Sequence, residues 1–232
     1  MTPIEIKVLS THAVVEVLNE LVPAFERTSD VRLAFNFNPS AAIKRAITAG
    51  TAFDVAIITR PAIDEMAAQG KIIRDSCVDF ARCGLGLAVR KGAPKPDIGT
   101  ADALKCALLA AKSVARSRDG ASGQNFDAML DHLGIADAMR DRILIGPGGR
   151  IAELVARGEA ELAVQQVPEL MPVAGADLVG PFPAGLQVYT TFAAGVAAAS
   201  QQREAAQSFI AAFAAPAAAA VFKRHGLEPI AR

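Results

Sequence analysis

Apolar and polar positions along the chain switch between a period of two, typical of strands, and a period near 3.6, typical of helices. The first units pair a strand at Ile4–Leu9 with a helix at Val14–Arg27, and a strand at Val31–Phe37 with a helix at Ala41–Thr48. Later strand-like runs are Val55–Ile58, Leu85–Arg90, Ser113–Ala115, Arg142–Ile145, Leu162–Gln165 and Leu186–Val196, separated by helical runs at Ala62–Gln69, Thr100–Leu108, Gly123–Leu133 and Ile151–Arg157 and followed by Ala205–Ala214 and Ala217–His225. This alternation predicts an α/β protein with mixed, mostly parallel sheets flanked by helices.

The chain has no internal repeat and no low-complexity linker. A two-lobed chain without a linker implies lobes joined by crossing strands. We therefore predict one lobe from residues 1–82 and 190–232, a second lobe from residues 83–189, and a ligand cleft between them.

The composition is that of a folded protein without a polyanion-binding surface. Hydrophobic residues make up 52% of the 232 positions and charged residues 21%, which argues against disorder. The 24 basic residues balance the 24 acidic ones and form no basic block, so we expect no nucleic-acid partner.

The chain ends bear on localisation and membrane contact. A strand begins almost directly after Met1, with no leader-like segment before it, so the chain as written is expected to be cytoplasmic. A trimmed leader would leave the same sequence and would make the protein periplasmic. The apolar stretch from Phe209 to Val221 is interrupted by Pro216 and is too short to span a bilayer, so we expect no direct membrane insertion.

Residues 113–123 have the composition of a small-anion pocket. A predicted strand runs there into the start of a predicted helix, and the segment carries Arg116, Arg118, Ser122 and Gly123. Helix-start N–H groups and arginine forks both favour carboxylate or phosphate oxygens. If the strand persists, Arg116 and Arg118 share a face and form a clamp; otherwise they are a solvated pair balanced by Asp119.

A second polar loop, Ile145–Arg150, opens the next helix. Gly148 and Gly149 in this loop offer backbone N–H donors, although an ordinary turn explains them as well.

Further candidates follow the early strands, at the carboxyl edge where open α/β sheets bind ligands. Ser10, Thr11 and His12 end the first strand, and Ser40 precedes the second helix. Helix capping explains the hydroxyls equally well. Arg60 opens the third helix, where its charge opposes the helix dipole and indicates a ligand or a nearby carboxylate.

Other chemistries find no motif in the chain. It contains no GxGxxG, Walker, GxSxG or HExxH sequence, and its three histidines and three cysteines lack metal-ligand spacing. We therefore expect neither a cofactor nor a metal.

The order and spacing of several segments resemble the substrate-binding proteins of molybdate-type ABC transporters, which have the type II periplasmic-binding-protein fold. The similar segments are Ile6–Ala13, Ser40–Gly50, Phe53–Ile57, Val155–Val164 and Ala217–Gly226. The resemblance implies a two-lobed fold, a small anionic ligand and an ABC permease as a partner.

The chain departs from this family where the family holds its oxyanion. By spacing, Ala13 takes the place of the family's serine, and Gln166 takes the place of its tyrosine. Arg116 and Arg118 replace an acidic, proline-containing loop. Two guanidinium groups suit a ligand with several carboxylates better than compact molybdate.

Two functions follow from these residues and from the resemblance. The first is a solute-binding protein that captures a small anion, either an organic di- or tricarboxylate or a molybdate-like oxyanion, in the interlobe cleft. The alternative is a cofactor-independent isomerase of an unsaturated tricarboxylate, as in aconitate-isomerase-like members of this branch. His12 is then the first candidate base, ahead of Asp119 and Glu153.

Overall fold

The computed structural model describes residues 3–146 and 149–230, which form strands and helices in nearly regular alternation. The strands are β1 (Ile4–Ser10), β2 (Val31–Phe37), β3 (Val55–Thr59), β4 (Val78–Cys83), β5 (Leu85–Arg90), β6 (Val114–Ser117), β7 (Ile143–Gly146), β8 (Leu162–Gln166), β9 (Ala176–Pro181), β10 (Thr190–Val196) and β11 (Glu228–Pro229). The α-helices are α1 (Val15–Thr28), α2 (Ser40–Thr48), α3 (Arg60–Ala68), α4 (Ala101–Ala110), α5 (Ala121–His132), α6 (Ala136–Met139), α7 (Ala152–Ala156), α8 (Val167–Leu170), α9 (Arg203–Phe213) and α10 (Ala219–Arg224). Short 3-10 helices lie at His12–Val14, Arg74–Ser76, Arg140–Arg142 and Pro216–Ala218.

The chain divides into two compact units. Unit 1 comprises the residues up to Arg82 and those from Thr190 onward, and unit 2 comprises Cys83–Tyr189. Each unit contains one sheet. The strand order is β11-β4-β10-β3-β1-β2 in unit 1 and β7-β6-β8-β5-β9 in unit 2.

Both sheets are mixed, and helices flank them, which confirms the predicted fold class. In unit 1, β1 runs parallel to β2 and β3, whereas β10 pairs with β3 in the antiparallel sense. In unit 2, β6 runs parallel to β7 and β8, whereas β5 is antiparallel to β8 and β9. Antiparallel pairing is therefore more extensive than a mostly parallel sheet would have.

The central strands bury both faces, which is why they read as continuous apolar runs. In β5, Leu87 and Val89 pack on one side of the sheet with residues of α4 and α5, and Ala88 packs on the other side with residues of α7 and α8. In unit 1, Ile58 and Leu9 pack against α2 and α3.

One predicted strand begins later than expected, and the strands β4 and β9 were not predicted. The run predicted at Leu186–Val196 forms a strand only from Thr190, because the Gln187 amide bonds Leu85 N–H and C=O, at 2.6 and 2.9 Å, in place of backbone pairing. β4 was missed because Ala81 interrupts the alternation of apolar and polar residues that begins at Val78. β9 was missed because Gly180 and Pro181 resemble a loop, although an edge strand tolerates them.

Among the described residues, no single helix is long and apolar enough to cross a membrane; one bent pair, Arg203–Phe213 with Pro216–Arg224, meets the length and composition criteria.

Asp54 links three segments of unit 1 through its side chain. Its carboxylate accepts a hydrogen bond from the Lys7 backbone N–H at 2.8 Å and another from the Ser200 hydroxyl at 2.6 Å. The side chain therefore joins the loop before β3 to β1 and to the segment after β10.

We expect Asp54→Ala to lower the free energy of unfolding by about 2 kcal/mol, because two donors lose a charged acceptor. Urea denaturation monitored by circular dichroism measures the change. The matched control is Asp75→Ala, an exposed carboxylate for which no hydrogen bond is described in residues 3–146 and 149–230. Equal effects of the two substitutions would contradict this assignment.

Candidate functional site

The carboxyl ends of three parallel strands meet at one edge of the unit 2 sheet. β6 ends at Ser117 and β7 at Gly146, and these two residues are direct partners in the sheet. β8 runs parallel to β6 and ends at Gln166. Helix α5 begins four residues after the end of β6. This is the edge at which open α/β sheets hold ligands.

The first turn of α5 presents unpaired backbone donors. The capping residue Gly120 is extended and supplies no side-chain cap. Its carbonyl accepts from the N–H groups of Gly123 and Gln124 at 3.1 and 3.3 Å. Helix geometry leaves the N–H groups of Ala121 and Ser122 without an intrahelical acceptor. These donors and the positive end of the helix dipole favour an anion.

Two buried hydroxyls lie beside this helix start. The Oγ atoms of Ser117 and Ser122 are 3.1 Å apart, and the residues are 4% and 2% exposed. Ser122 was a candidate from the sequence. Ser117 was not predicted, because the arginines on either side of it carry the stronger signal for an anion site. The available signal was its position at the end of the strand, four residues before a glycine-containing helix start.

Gly123 permits the close approach of helix and strand. A Cβ atom on this residue would lie 2.1 Å from the Ser117 carbonyl oxygen, far inside van der Waals contact. The helix start therefore requires glycine at this position.

The strand does not persist as far as Arg118, which was the condition for the predicted arginine clamp. β6 ends at Ser117, so Arg118 lies beyond the strand and the two arginines do not continue one strand face. The Arg116 side chain is 14% exposed and forms an ion pair at 2.8 Å with Asp127 of α5. Arg118 is exposed, and no ion pair is described for it in residues 3–146 and 149–230. Of these two arginines, only Arg118 remains a candidate for direct contact with a ligand.

Burial raises the pKa of Asp127, and the neighbouring Arg116 charge partly offsets that rise. Burial and the ion pair with Arg116 therefore shift the pKa of this carboxyl in opposite directions.

The side chain of Gln165, which was not a candidate from the sequence, forms hydrogen bonds at the second polar loop and at the residue that follows it. Gln165 Oε1 accepts from Ile151 N–H at 2.9 Å, and its Nε2 donates to the Gly149 carbonyl at 2.7 Å. Gly149 has a positive φ of 72°, which favours glycine. The predicted ligand residue Gly148 lies outside the described residues.

Gln166 ends β8 at the same edge. The residue is 4% exposed, and within residues 3–146 and 149–230 no hydrogen bond is described for its side-chain amide. An enclosed amide for which the described residues supply no recorded hydrogen bond is suited to a ligand, so Gln166 remains a candidate.

Unit 1 gathers its candidate residues at the carboxyl ends of β1 and β3. Ser10 is fully buried, and its hydroxyl donates to the Thr11 carbonyl at 3.2 Å. The Thr11 N–H donates to the Ile57 carbonyl at 2.9 Å, and Thr11 makes no side-chain cap for the turn His12–Val14. The His12 ring lies 6.3 Å from the Phe37 ring, between centroids.

Two unit 1 candidates serve other contacts. The Ser40 hydroxyl accepts from the Thr59 N–H at 3.2 Å and makes no helix cap. Arg60 pairs with Asp64 at 2.8 Å and with Asp79 at 3.0 Å. The structure does not support Arg60 as a ligand residue, because these nearby carboxylates satisfy its charge.

The remaining candidate bases are both exposed. Asp119 is exposed, and Glu153 on α7 is an exposed partner of Arg157 at 3.6 Å. In the part of the chain that the structure describes, no group of three or more His, Cys, Asp or Glu residues is placed to hold a metal ion.

The geometry defines a class of protein: an α/β chain in two units, with hydroxyls and backbone N–H groups at the carboxyl edges of its sheets. The chain belongs to the bacterial extracellular solute-binding protein family, whose family model matches residues 6–228. Among curated proteins, it is 34% identical over 229 residues to an aconitate isomerase of a Pseudomonas species, covering 96% of this chain and 87% of that protein.

Solved structures show the same fold. The periplasmic molybdate-binding protein of Azotobacter vinelandii matches with a TM-score of 0.82 and 19% identity, covering 98% of this chain and 99% of that one. The sulfate-binding protein of Mycobacterium tuberculosis matches with a TM-score of 0.78 and 19% identity, covering 98% of this chain and 87% of that one. These likenesses confirm the resemblance drawn from the sequence.

One buried carboxyl near the second polar loop titrates unusually. Burial raises the pKa of Glu169, on α8, to about 8, while the charge of Arg150 and a hydrogen bond with Gln165 oppose the rise. The residue as a whole is half-buried, and its carboxyl group is the enclosed part.

We expect wild-type protein to lose stability relative to Glu169→Gln as the pH rises from about 4.3 to about 8. The folded-state pKa is raised, so the carboxyl's contribution is complete below its unfolded pKa and is lost as the pH passes through the folded one. Melting temperatures of both proteins between pH 5 and pH 9 measure this. Glu153→Gln, an exposed carboxylate on neighbouring α7, is the matched control. Parallel curves for wild type and Glu169→Gln would refute the assignment.

Proposed function

We propose that this protein binds a small organic anion with two or three carboxylates, and that one carboxylate sits at the start of α5. The observation that carries the proposal is the pair of buried hydroxyls, Ser117 and Ser122, beside the unpaired N–H groups of that helix start. Neutral donors of this kind satisfy a carboxylate or a tetrahedral oxyanion equally well.

The choice of a carboxylate rests on the relatives more than on arginines. Arg116 and Arg60 are engaged by carboxylates of the protein, which removes most of the sequence argument for a guanidinium clamp. The curated relative at 34% identity is an aconitate isomerase, and aconitate is a tricarboxylate. Molybdate and sulfate, which the structural neighbours bind, remain the competing ligands.

As a member of a solute-binding family, the protein is proposed to deliver its ligand to an ABC permease outside the cytoplasmic membrane. This role requires an export leader on the precursor of the protein. Fractionation of the native host separates a periplasmic protein from a cytoplasmic one.

We expect trans-aconitate and citrate to raise the melting temperature more than molybdate or sulfate does. Ser117→Ala and Ser122→Ala should each weaken binding roughly ten- to a hundredfold, because a charged acceptor loses a donor. Isothermal titration calorimetry measures the dissociation constants.

The matched control is Ser113→Ala, because the Ser113 hydroxyl lies at the opposite end of β6 and accepts from the Glu161 N–H at 3.0 Å. Its affinity should equal that of the wild type. The same titration with Thr11→Val tests whether the unit 1 edge contributes. Stabilisation by molybdate alone would overturn the choice of a carboxylate.

The curated relative favours a second function, isomerisation of aconitate. In that reaction a base removes a proton from the methylene carbon, the double bond moves by one carbon, and the proton returns to the former vinyl carbon. No oxidant or cofactor is needed for this shift. His12 is the proposed base, since an imidazole exchanges protons near neutral pH.

If the protein is an isomerase, trans-aconitate incubated with it will yield the cis isomer, followed by nuclear magnetic resonance. His12→Asn should then lower kcat by roughly a hundredfold or more while the ligand-induced melting shift persists. His132→Asn, in the last turn of α5, is the control and should keep full activity. Ligand binding by wild type without turnover would leave only the binding function.

A further inference from the structure

The Arg116 side chain joins the end of β6 to the second turn of α5. Its Nη1 donates to the Ser117 carbonyl at 2.9 Å, and its Nη2 lies 2.8 Å from Asp127 Oδ2. Asp127 is the seventh residue of α5 (Ala121–His132). One guanidinium therefore contacts both elements that form the candidate anion site.

The same junction is held by two further contacts. The hydroxyls of Ser117 and Ser122 lie 3.1 Å apart, and Gly123 sits against the Ser117 carbonyl with no room for a Cβ atom. The strand end and the helix start therefore meet through three contacts, two made by Ser117 and one by the Arg116–Asp127 ion pair. Any shift of α5 along its axis would move its unpaired N–H groups relative to both hydroxyls.

Stability alone does not account for this arginine. Arg116 Nε is buried and has no hydrogen-bond partner among the described residues. Burying a guanidinium with an unsatisfied N–H is unfavourable, and an apolar side chain of similar size at such a position is often no less stable. The ion pair by itself contributes little to the free energy of unfolding, because the Asp127 side chain is 46% exposed.

We propose that Arg116 and Asp127 are positioning residues for the anion site, and that their ion pair fixes the start of α5 against β6 without touching the ligand. The inference rests on the proposed function, because it concerns the same helix start. It assigns the pair a role different from that of the arginine clamp expected from the sequence.

This role has two measurable consequences. A residue that acts through α5 affects every anion by the same factor, because all of them use the same helix-start donors. A residue that contacts the extra carboxylates affects tricarboxylates more than molybdate or sulfate. Arg118, which is exposed and one residue beyond β6, is the natural comparison for direct contact.

A double-mutant cycle tests the positioning role. Dissociation constants for citrate, trans-aconitate, molybdate and sulfate are measured for wild type, Arg116→Gln, Asp127→Asn and the double variant. We expect each single variant to weaken binding about tenfold and the double variant to be no weaker than the worse single one. The factor should be the same for all anions that bind. Arg116→Lys, which keeps the charge opposite Asp127, should recover part of the affinity.

Two comparison variants complete the design. Arg118→Gln should instead lose more affinity for the tricarboxylates than for molybdate, and its loss should multiply with that of Asp127→Asn. Arg140→Gln, an exposed arginine of unit 2 paired with Asp137, should bind like the wild type. If Arg116→Gln does not fold, the cycle is built from Arg116→Lys, Asp127→Asn and the variant that combines them.

The outcomes separate this inference from the function beneath it. Wild-type protein that binds none of the four anions defeats the proposed function and this inference with it. Binding in which the losses from Arg116 and Asp127 multiply, or in which Arg116→Gln harms only tricarboxylates, overturns the inference and leaves the function standing.

Discussion

The contact between Gly123 and the Ser117 carbonyl is the constraint on which the candidate site depends. The helix start approaches the strand end so closely that a single added carbon would lie 2.1 Å from an oxygen. That approach places two hydroxyls 3.1 Å apart next to N–H groups that no other part of the helix can satisfy. These donors have no acceptor within the helix, so they are available to bind an anion or water.

The charge distribution around this site favours neutral donors over fixed cations. Arg116 and Arg60, the arginines that the sequence placed nearest a ligand, are both paired with carboxylates of the protein. A site of hydroxyls and amides carries no net charge that must be balanced when it is empty. It selects an anion through the number and direction of its hydrogen bonds, since helix dipoles and N–H groups act at short range. Long-range attraction contributes little in a chain whose formal net charge is zero.

The elements were predictable from the sequence wherever both faces of a strand are buried. Leu85–Arg90 was predicted with its observed bounds, because an apolar run between turn residues marks a strand clearly. Val31–Phe37 lies at a sheet edge and was predicted with its observed bounds because its more buried and more exposed positions alternate. β9 could not be recognised, because it lies at a sheet edge where glycine and proline are tolerated.

The roles of individual side chains were less predictable. The sequence predicted that Arg116 shares a strand face with Arg118, whereas the structure pairs Arg116 with Asp127 of α5. The partner Asp127 lies eleven residues further along, and local sequence does not reveal which carboxylate an arginine will meet. Ser117 shows the converse: its neighbours were conspicuous, while the hydroxyl that faces the helix start was not. Fold class follows from patterns, whereas pairing requires three-dimensional placement.

The choice of ligand has to come from positions other than the helix start. The same fold carries molybdate and sulfate binders at 19% identity and is shared by a relative at 34% identity that acts on aconitate. A helix start with two hydroxyls holds one carboxylate or one oxyanion with similar satisfaction, so it cannot discriminate among these by itself. A tricarboxylate brings further carboxylates that need donors of their own. Within unit 2 the candidates are the exposed Arg118, whose charge is matched by no described ion pair, and the enclosed amide of Gln166. Under the proposed function, the identity of the ligand is therefore decided by the residues around the start of α5 and not by the helix start itself.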